Sequence, residues 1–201
     1  MGNRMIAMLA YVLTVGRVVL AAAFAACAAA AHWQSGGQAL SAGDMAALLV
    51  LAAAAEATDL LDGPAARRGN TVSRLGGLLD PLCDSLGRLT MYFAAALAGW
   101  VWLAVPLVMV GRDLIVAYVR IIRAHADQPT SARGSGKVKA IIQGGAILVF
   151  VALAGWSGPR IATARAAVAV VVILVTVWSL IDYLRGGWPA VVALYRSQRK
   201  G

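Results

Sequence analysis

Four aspartates between positions 59 and 84 have the residue type and the spacing of a metal site. Asp59 and Asp62 are three residues apart, and Asp80 and Asp84 are four apart, so each pair shares one face of a helix. Four carboxylates at one level would repel one another and would be costly to ionise near hydrocarbon, and bound divalent cations would remove both costs. Oxygen ligands suit Mg²⁺, Mn²⁺ or Ca²⁺ better than zinc. The spacing therefore predicts a divalent-cation site on two neighbouring helices.

Small and basic residues beside the first aspartate pair indicate what such cations would bind. Gly63 and Ala66 leave room beside the carboxylates, and Arg67 adds a fixed positive charge. Metal ions and arginine neutralise phosphate oxygens, while small residues let a nucleotide approach the backbone. We therefore expect a diphosphate site. The alternative, that the aspartates are ordinary charges at helix ends, explains any one of them but not all four in this register.

The elements that must hold these residues are membrane helices. Of the 201 residues, 61% are hydrophobic and 13% are charged, whereas soluble domains carry about 45–50% apolar and about 25% charged residues. This composition, with only two cysteines, argues against a soluble enzyme, a disordered chain and a disulfide scaffold. At about 20 apolar residues per crossing, the chain is predicted to be an all-α polytopic membrane protein, with residues 1–201 forming a single domain of six transmembrane helices.

Six apolar runs give the expected positions of these spans. They cover residues 5–31, 41–61, 75–99, 100–123, 140–156 and 161–184. A polar stretch at 63–74, a basic loop at 124–139 and a basic tail from position 185 separate or follow them. The join between the third and fourth spans is hard to place, because residues 94–110 are apolar without a break.

The distribution of Lys and Arg predicts the orientation of the spans. Both polar loops and both ends of the chain are basic, whereas the opposite loops contribute only Arg160 and Arg165. The positive-inside rule then places both termini and the aspartates on the cytoplasmic face of the cell (inner) membrane. The net charge of +9 would meet anionic lipid head groups or an anionic substrate there. Nucleic acid is not an expected partner, because the basic residues are divided among short loops.

The stretch from position 59 to position 84 resembles the signature of the CDP-alcohol phosphatidyltransferases. It matches all eight fixed positions of D-x-x-D-G-x-x-A-R, eight residues, G, three residues, D, three residues, D. Members of that family are six-helix membrane enzymes, usually homodimers, which transfer a phosphatidyl-type group from a CDP-alcohol to a hydroxyl and release CMP.

The resemblance implies roles for particular residues of this chain. Two ions, Mg²⁺ or Mn²⁺, would be held by Asp59, Asp62, Asp80 and Asp84. Asp84 would also act as the general base. CDP would contact the residues Thr14, Gly63, Ala66, Arg67 and Gly76.

Three further stretches resemble the phosphatidylglycerophosphate synthase branch of that family. They are L-T-V-G-R at 13–17, G-R-D at 111–113 with Arg120, and the stretch 131–143, which contains G-K-V-K and ends in Gln143. The branch implies that the phosphatidyl group of CDP-diacylglycerol passes to sn-glycerol 3-phosphate. The phosphate of that acceptor would pair with Arg112, Arg120, Lys137 and Lys139.

Other interpretations remain open at this point. Lys137 and Lys139 could reflect membrane topology alone, whereas Arg112 lies inside an apolar run, where an arginine is a functional hypothesis in itself. Ser85 follows the last motif aspartate, where many members of the family have lysine. Inositol phosphate, serine and phosphatidylglycerol are alternative acceptors. A small membrane transporter is the alternative from a different class of protein.

Overall fold

The chain folds into helices joined by short connections. The computed structural model describes the backbone of residues 2–68, 74–125 and 134–198 and the side chains of residues 15–58, 81–124 and 134–192. Within these ranges it contains six helices: α1 (Gly2–Ser35), α2 (Ala42–Arg68), α3 (Arg74–Leu97), α4 (Ala104–His125), α5 (Gly134–Ala154) and α6 (Pro159–Gln198). The predicted all-α class with six helices is confirmed.

Three tight connections set where helices end and begin. Gly36, Gly37, Gly99 and Gly158 have φ angles of 60°, 82°, 75° and 118°, which L side chains rarely adopt. Ser41 starts α2, because its hydroxyl accepts a hydrogen bond from the Asp44 backbone N–H at 3.1 Å and donates one to the Asp44 carboxylate at 2.6 Å. The Leu40 N–H donates to the Ala154 carbonyl at 3.1 Å, which brings the first and third of these connections to the same end of the bundle.

Several boundaries predicted from hydropathy are wrong. Helix α2 continues to Arg68 through the stretch expected to be a polar loop, α5 begins at Gly134 inside the expected basic loop, and α6 continues to Gln198. Hydropathy marks only the part of a helix that matches hydrocarbon, whereas a helix continues into polar surroundings as long as its residues support it. The difficult join between spans three and four lies at residues 98–103, after α3 ends at Leu97.

The helices form two groups that meet along α3 and α5. Helix α1 packs on α2 and α3, and α6 packs on α4 and α5. The groups are joined by contacts of α5 with α2 and α3 and by contacts of α3 with α4. Tyr92 and Phe150 stack edge to face at this junction, with ring centroids 6.2 Å apart. Polar side chains of α3, α4 and α5 that lie at the junction can therefore reach one another.

Long apolar helices make this a membrane protein by composition and length. In the described part of the chain, three segments are long and apolar enough to cross a bilayer: Val15–Ser35, Gly134–Ala154 and Pro159–Val192. Large apolar side chains such as Val19, Leu107 and Leu174 are exposed on the outer surface of the bundle, as expected for helices that face lipid. The full set of six spans stays a prediction.

Candidate active site

The backbone places the four motif aspartates on two consecutive helices. Asp59 and Asp62 lie in the second half of α2, and Asp80 and Asp84 lie in the first half of α3. The side chains at 59, 62 and 80 fall outside the described ranges, as do those of the expected CDP-contacting residues Thr14, Gly63, Ala66, Arg67 and Gly76. No cluster of three or more His, Cys, Asp or Glu is present among the side chains that the structure describes. Asp84 is the motif aspartate whose surroundings are defined.

Two arginines flank the Asp84 carboxylate. Arg88, one turn further along α3, donates a hydrogen bond from Nη1 to Asp84 Oδ2 at 3.0 Å. Arg17 of α1 places Nη1 3.6 Å from Asp84 Oδ1. Asp84 Oδ1 is buried and receives no hydrogen bond from the described part of the molecule. Arg88 Nη1 also lies 3.0 Å from Asp84 Oδ1, so this guanidinium contacts both oxygens of the carboxylate.

Arg88 also pairs with a second acid, Glu56 of α2. Arg88 Nη2 donates to Glu56 Oε2 at 3.0 Å, and Arg88 Nε lies 3.3 Å from Glu56 Oε1. The Arg88 side chain is only 4% exposed. Gly144 of α5 provides the space for the Glu56 carboxylate, because a Cβ at position 144 would lie 2.9 Å from Glu56 Cδ. Three helices thus contribute to the surroundings of this one guanidinium.

Arg17 is fixed independently of Arg88. Its Nε donates to Thr58 Oγ1 at 3.2 Å, and the Thr58 hydroxyl donates to the Ala55 carbonyl at 2.7 Å. Gly87 of α3 lets the Arg17 stem pass closely, because a Cβ there would lie 3.3 Å from Arg17 Cγ. The arginine of the L-T-V-G-R stretch therefore belongs to the surroundings of Asp84.

A second charged cluster is centred on Asp113 of α4. Arg112 Nη1 lies 2.8 Å and Lys139 Nζ 3.1 Å from Asp113 Oδ1. Ser85 donates to Asp113 Oδ2 at 2.8 Å. Arg112 is 7% and Lys139 5% exposed. Since Ser85 is the chain neighbour of Asp84, this hydrogen bond ties the motif helix directly to the cationic cluster.

Tyr183 of α6 connects a third cationic side chain, Arg120, to the cluster around Asp113. The guanidinium carbons of Arg112 and Arg120 lie 5.0 and 5.7 Å from the centre of its ring, within the range of a cation–π contact. Arg120 Nη2 donates to the Tyr183 hydroxyl at 3.3 Å, and Arg112 Nη2 donates to Ser179 Oγ at 2.9 Å. Arg112 and Arg120 are therefore near neighbours in space, although they are eight residues apart on α4.

Three of the four residues predicted to bind the acceptor phosphate come together in the structure, and one lies apart. Arg112, Arg120 and Lys139 surround Asp113 and Tyr183, whereas Lys137 is exposed. Residues two apart on a helix point about 200° from one another, so Lys137 and Lys139 occupy different faces of α5.

Sequence reasoning missed Glu56, Arg88 and Tyr183 and assigned no role to Asp113. The available signal was charge inside an apolar segment: Glu56 interrupts the second run, and Arg88 lies in the third. An ionisable residue at membrane depth is by default a candidate for function. Tyr183 carried no comparable signal, because a tyrosine in an apolar helix is common.

Comparisons with known proteins define the class of this chain. The model of the family CDP-alcohol phosphatidyltransferase matches residues 7–186, which include the aspartate motif and both charged clusters. The chain belongs to the CDP-alcohol phosphatidyltransferase family and is an enzyme of that type. The resemblance seen in the sequence is thereby confirmed.

Named relatives give a finer but mixed indication. The chain is 33% identical over 145 residues to a CDP-diacylglycerol–glycerol-3-phosphate 3-phosphatidyltransferase of Escherichia coli K12, covering 69% of this chain and 76% of the relative. The enzyme of the same name from Yersinia pestis (strain Pestoides F) is 30% identical over 139 residues, covering 67% and 74%. A cardiolipin synthase (CMP-forming) of Streptomyces coelicolor is 39% identical over 97 residues, covering 45% of this chain and 42% of that relative.

Proposed function

We propose that this enzyme transfers the phosphatidyl group from CDP-diacylglycerol to sn-glycerol 3-phosphate, forming phosphatidylglycerophosphate and CMP. The observation that carries the proposal is the cationic group of Arg112, Lys139 and the half-buried Arg120, which Ser85 links to Asp84. Among the described side chains, Asp113 is the carboxylate that pairs with Arg112 and Lys139, so these two cations together with Arg120 carry more positive charge than it neutralises, which suits a phosphate dianion. Serine, which has no phosphate, would not need it. Two relatives are named for this reaction.

The donor half of the site is assigned to the aspartate motif. Asp59, Asp62, Asp80 and Asp84 would hold two divalent ions, Mg²⁺ or Mn²⁺, and the residues Thr14, Gly63, Ala66, Arg67 and Gly76 would contact CDP. An all-carboxylate donor set fits such hard cations. When bound, the ions supply charge neutralisation at the diphosphate.

The chain's own residues would then direct the displacement. Arg112, Arg120 and Lys139 bind the phosphate of the acceptor and bring its free hydroxyl toward α3, and Lys137, on another face of α5, would add a more distant positive charge. Asp84 accepts the proton of that hydroxyl while the hydroxyl oxygen forms a bond to the β-phosphorus of the CDP-alcohol. The bond between this phosphorus and the oxygen of CMP breaks in the same step. The proton acceptor must lie within hydrogen-bond reach of the hydroxyl in the loaded enzyme.

The same proposal includes the placement of the enzyme in its membrane. Residues 1–201 would form one catalytic domain of six transmembrane helices, with both termini and the active site on the cytoplasmic side of the inner membrane. Three apolar helices and the basic loops support this arrangement. The enzyme would work as a homodimer among membrane lipids, with the acyl chains of the donor entering from the bilayer.

Cardiolipin synthesis is the second candidate, because one relative carries that name. The acceptor would then be phosphatidylglycerol, whose phosphate could use the same cations. This reaction differs from the first only in the acceptor, so the two are separated by direct competition.

An acceptor panel tests the proposed function. The purified protein with CDP-diacylglycerol and Mg²⁺ or Mn²⁺ is expected to release CMP with radiolabelled glycerol 3-phosphate. The expected kcat/KM exceeds that for inositol phosphate, serine or phosphatidylglycerol by about 100-fold or more, since a site built for one polar group strongly rejects its analogues. Absence of CMP with all four acceptors would contradict the transferase assignment. A preference for phosphatidylglycerol would instead support the second candidate.

A further inference from the structure

We propose that Arg88, anchored by Glu56, is a positioning residue that fixes the orientation of the Asp84 carboxylate for proton acceptance. The inference rests on the proposed role of Asp84 as the general base. It assigns a function to the buried Arg88 and the half-buried Glu56, two charged residues that lie outside the aspartate motif.

The contacts of Arg88 divide its donors between two carboxylates. Nη1 is hydrogen-bonded to Asp84 Oδ2, while Nη2 and Nε face Glu56. A guanidinium is planar and rigid, so fixing one edge on Glu56 also fixes the direction of the N–H that holds Asp84. The same Nη1 lies 3.0 Å from both oxygens of Asp84, so Arg88 holds the plane of the whole carboxylate.

Arg17 is a second cation beside Asp84, and it makes control of the carboxylate orientation necessary. Arg17 Nη1 lies 3.6 Å from Asp84 Oδ1, which is within ion-pair distance but longer than a hydrogen bond. Without Arg88, rotation of the Asp84 carboxylate toward Arg17 would convert that contact into a hydrogen bond. Arg88, which lies 3.0 Å from both oxygens, therefore limits how far the carboxylate can turn toward Arg17.

The fit between Glu56 and α5 shows that the anchor is tightly placed. A methyl group at Gly144 would overlap the Glu56 carboxylate, whereas nothing lies within 4 Å of a methyl group built on the neighbouring Gly145. The Glu56 side chain is flexible, so it can yield without unfolding the helix, but its pairing with Arg88 would shift. These two adjacent glycines therefore provide a matched pair of substitutions.

The simpler interpretation is that Glu56 and Arg88 only join α2 to α3. Under that interpretation, a well-packed apolar replacement would preserve activity, because exchanging a buried ion pair for apolar residues is often neutral or stabilising. The double variant Glu56→Leu/Arg88→Met makes this replacement. It removes both charges together, so that neither is left buried alone.

The experiment measures kcat, the KM for each substrate, thermal stability and Mn²⁺ binding by electron paramagnetic resonance. In Glu56→Leu/Arg88→Met and in Arg88→Lys, we expect kcat to fall about 10–100-fold while each KM and the Mn²⁺ dissociation constant change less than about threefold. Lysine does not rescue activity, because one ammonium group cannot hold both carboxylates in a fixed plane. The control Arg165→Met removes a guanidinium that donates to the backbone carbonyls of Leu153 and Trp156, and kcat should be unchanged.

The glycine pair gives an independent measurement if the charge variants fold poorly. Gly144→Ala is expected to lower kcat about threefold to tenfold with Mn²⁺ binding preserved, and Gly145→Ala is expected to match the wild type. Wild-type kcat in the double variant or in Gly144→Ala would overturn the positioning role. A parallel loss of Mn²⁺ binding and thermal stability would instead assign the residues to structure alone. If the wild-type enzyme releases no CMP with any acceptor, the proposed function itself fails.

Discussion

Asp84→Asn is expected to lower kcat by about 1000-fold or more, because it removes both a metal-ligating charge and the proposed proton acceptor. Asparagine is nearly isosteric, and its amide oxygen can still accept the hydrogen bond from Arg88 that the aspartate accepts at 3.0 Å. A neutral amide cannot take the proton of a hydroxyl at physiological pH. Asp80→Asn should have a comparable effect, through loss of a metal ligand. CMP release from CDP-diacylglycerol measures both variants.

The two aspartate variants separate the roles of the residues through their metal dependence. Asp80→Asn should raise the Mn²⁺ dissociation constant at least about tenfold, and part of its lost activity should return at high metal concentration. Asp84→Asn should remain inactive there, because metal cannot replace the proton acceptor. A suitable control is Asp44→Asn: the half-buried Asp44 lies in the first turn of α2 at the opposite end of that helix, and asparagine preserves its size. Full activity of Asp84→Asn or Asp80→Asn would contradict the assigned role.

Arg112→Met is expected to lower kcat/KM for glycerol 3-phosphate by about 100–1000-fold, mainly through KM. Arg112 has contacts with Asp113, Ser179 and Tyr183, so its guanidinium is held in place before substrate binds. Loss of a buried, charge-assisted contact with a phosphate costs about 3–4 kcal/mol, which corresponds to this range. The expected KM for CDP-diacylglycerol is unchanged.

The control for Arg112→Met must be an arginine that lies outside the proposed acceptor site. Arg160→Met removes an exposed arginine at the start of α6, at the end of the bundle that carries the short connections, and should leave both KM values unchanged. Arg112→Lys should recover only a small part of the activity, since lysine lacks the fork that spans Asp113 and Ser179. An equal increase in KM for both substrates would show that Arg112 supports the whole site rather than the acceptor alone.

The sequence predicts the family and the helical class well because the determinants are local. Asp59 and Asp84 belong to a pattern with fixed spacing, and long apolar runs are sufficient to identify membrane helices. The helix ends were harder to predict: α6 continues to Gln198, and hydropathy carries no information on helical residues beyond the hydrocarbon. Local sequence signals identify a helical segment, but they do not identify the residue at which the helix ends.

Contacts between helices that are distant in the sequence could not be predicted from local sequence signals. The pairing of Glu56 with Arg88 and the stacking of Arg112 and Arg120 on Tyr183 depend on which faces of four helices meet. Helices α2 and α6 give little indication of their buried side, because the periodic contrast between their polar and apolar residues is weak. Helices α3 and α4 have a clearer contrast, but it does not identify which neighbouring helix each face meets. The exposed position of Lys137 has the same origin, since the motif gives the residue type but not its face.

The hydrogen bond from Ser85 to Asp113 limits how the acceptor preference of this enzyme could be redesigned. Asp84 and Ser85 are consecutive, so any rotation of α3 that re-aims one of them also moves the other. Exchanging α4 and α5 for the corresponding segments of a relative with another acceptor would therefore disturb the residue that activates the hydroxyl. A chimera that keeps activity must therefore take α3, α4 and α5 together from the same relative.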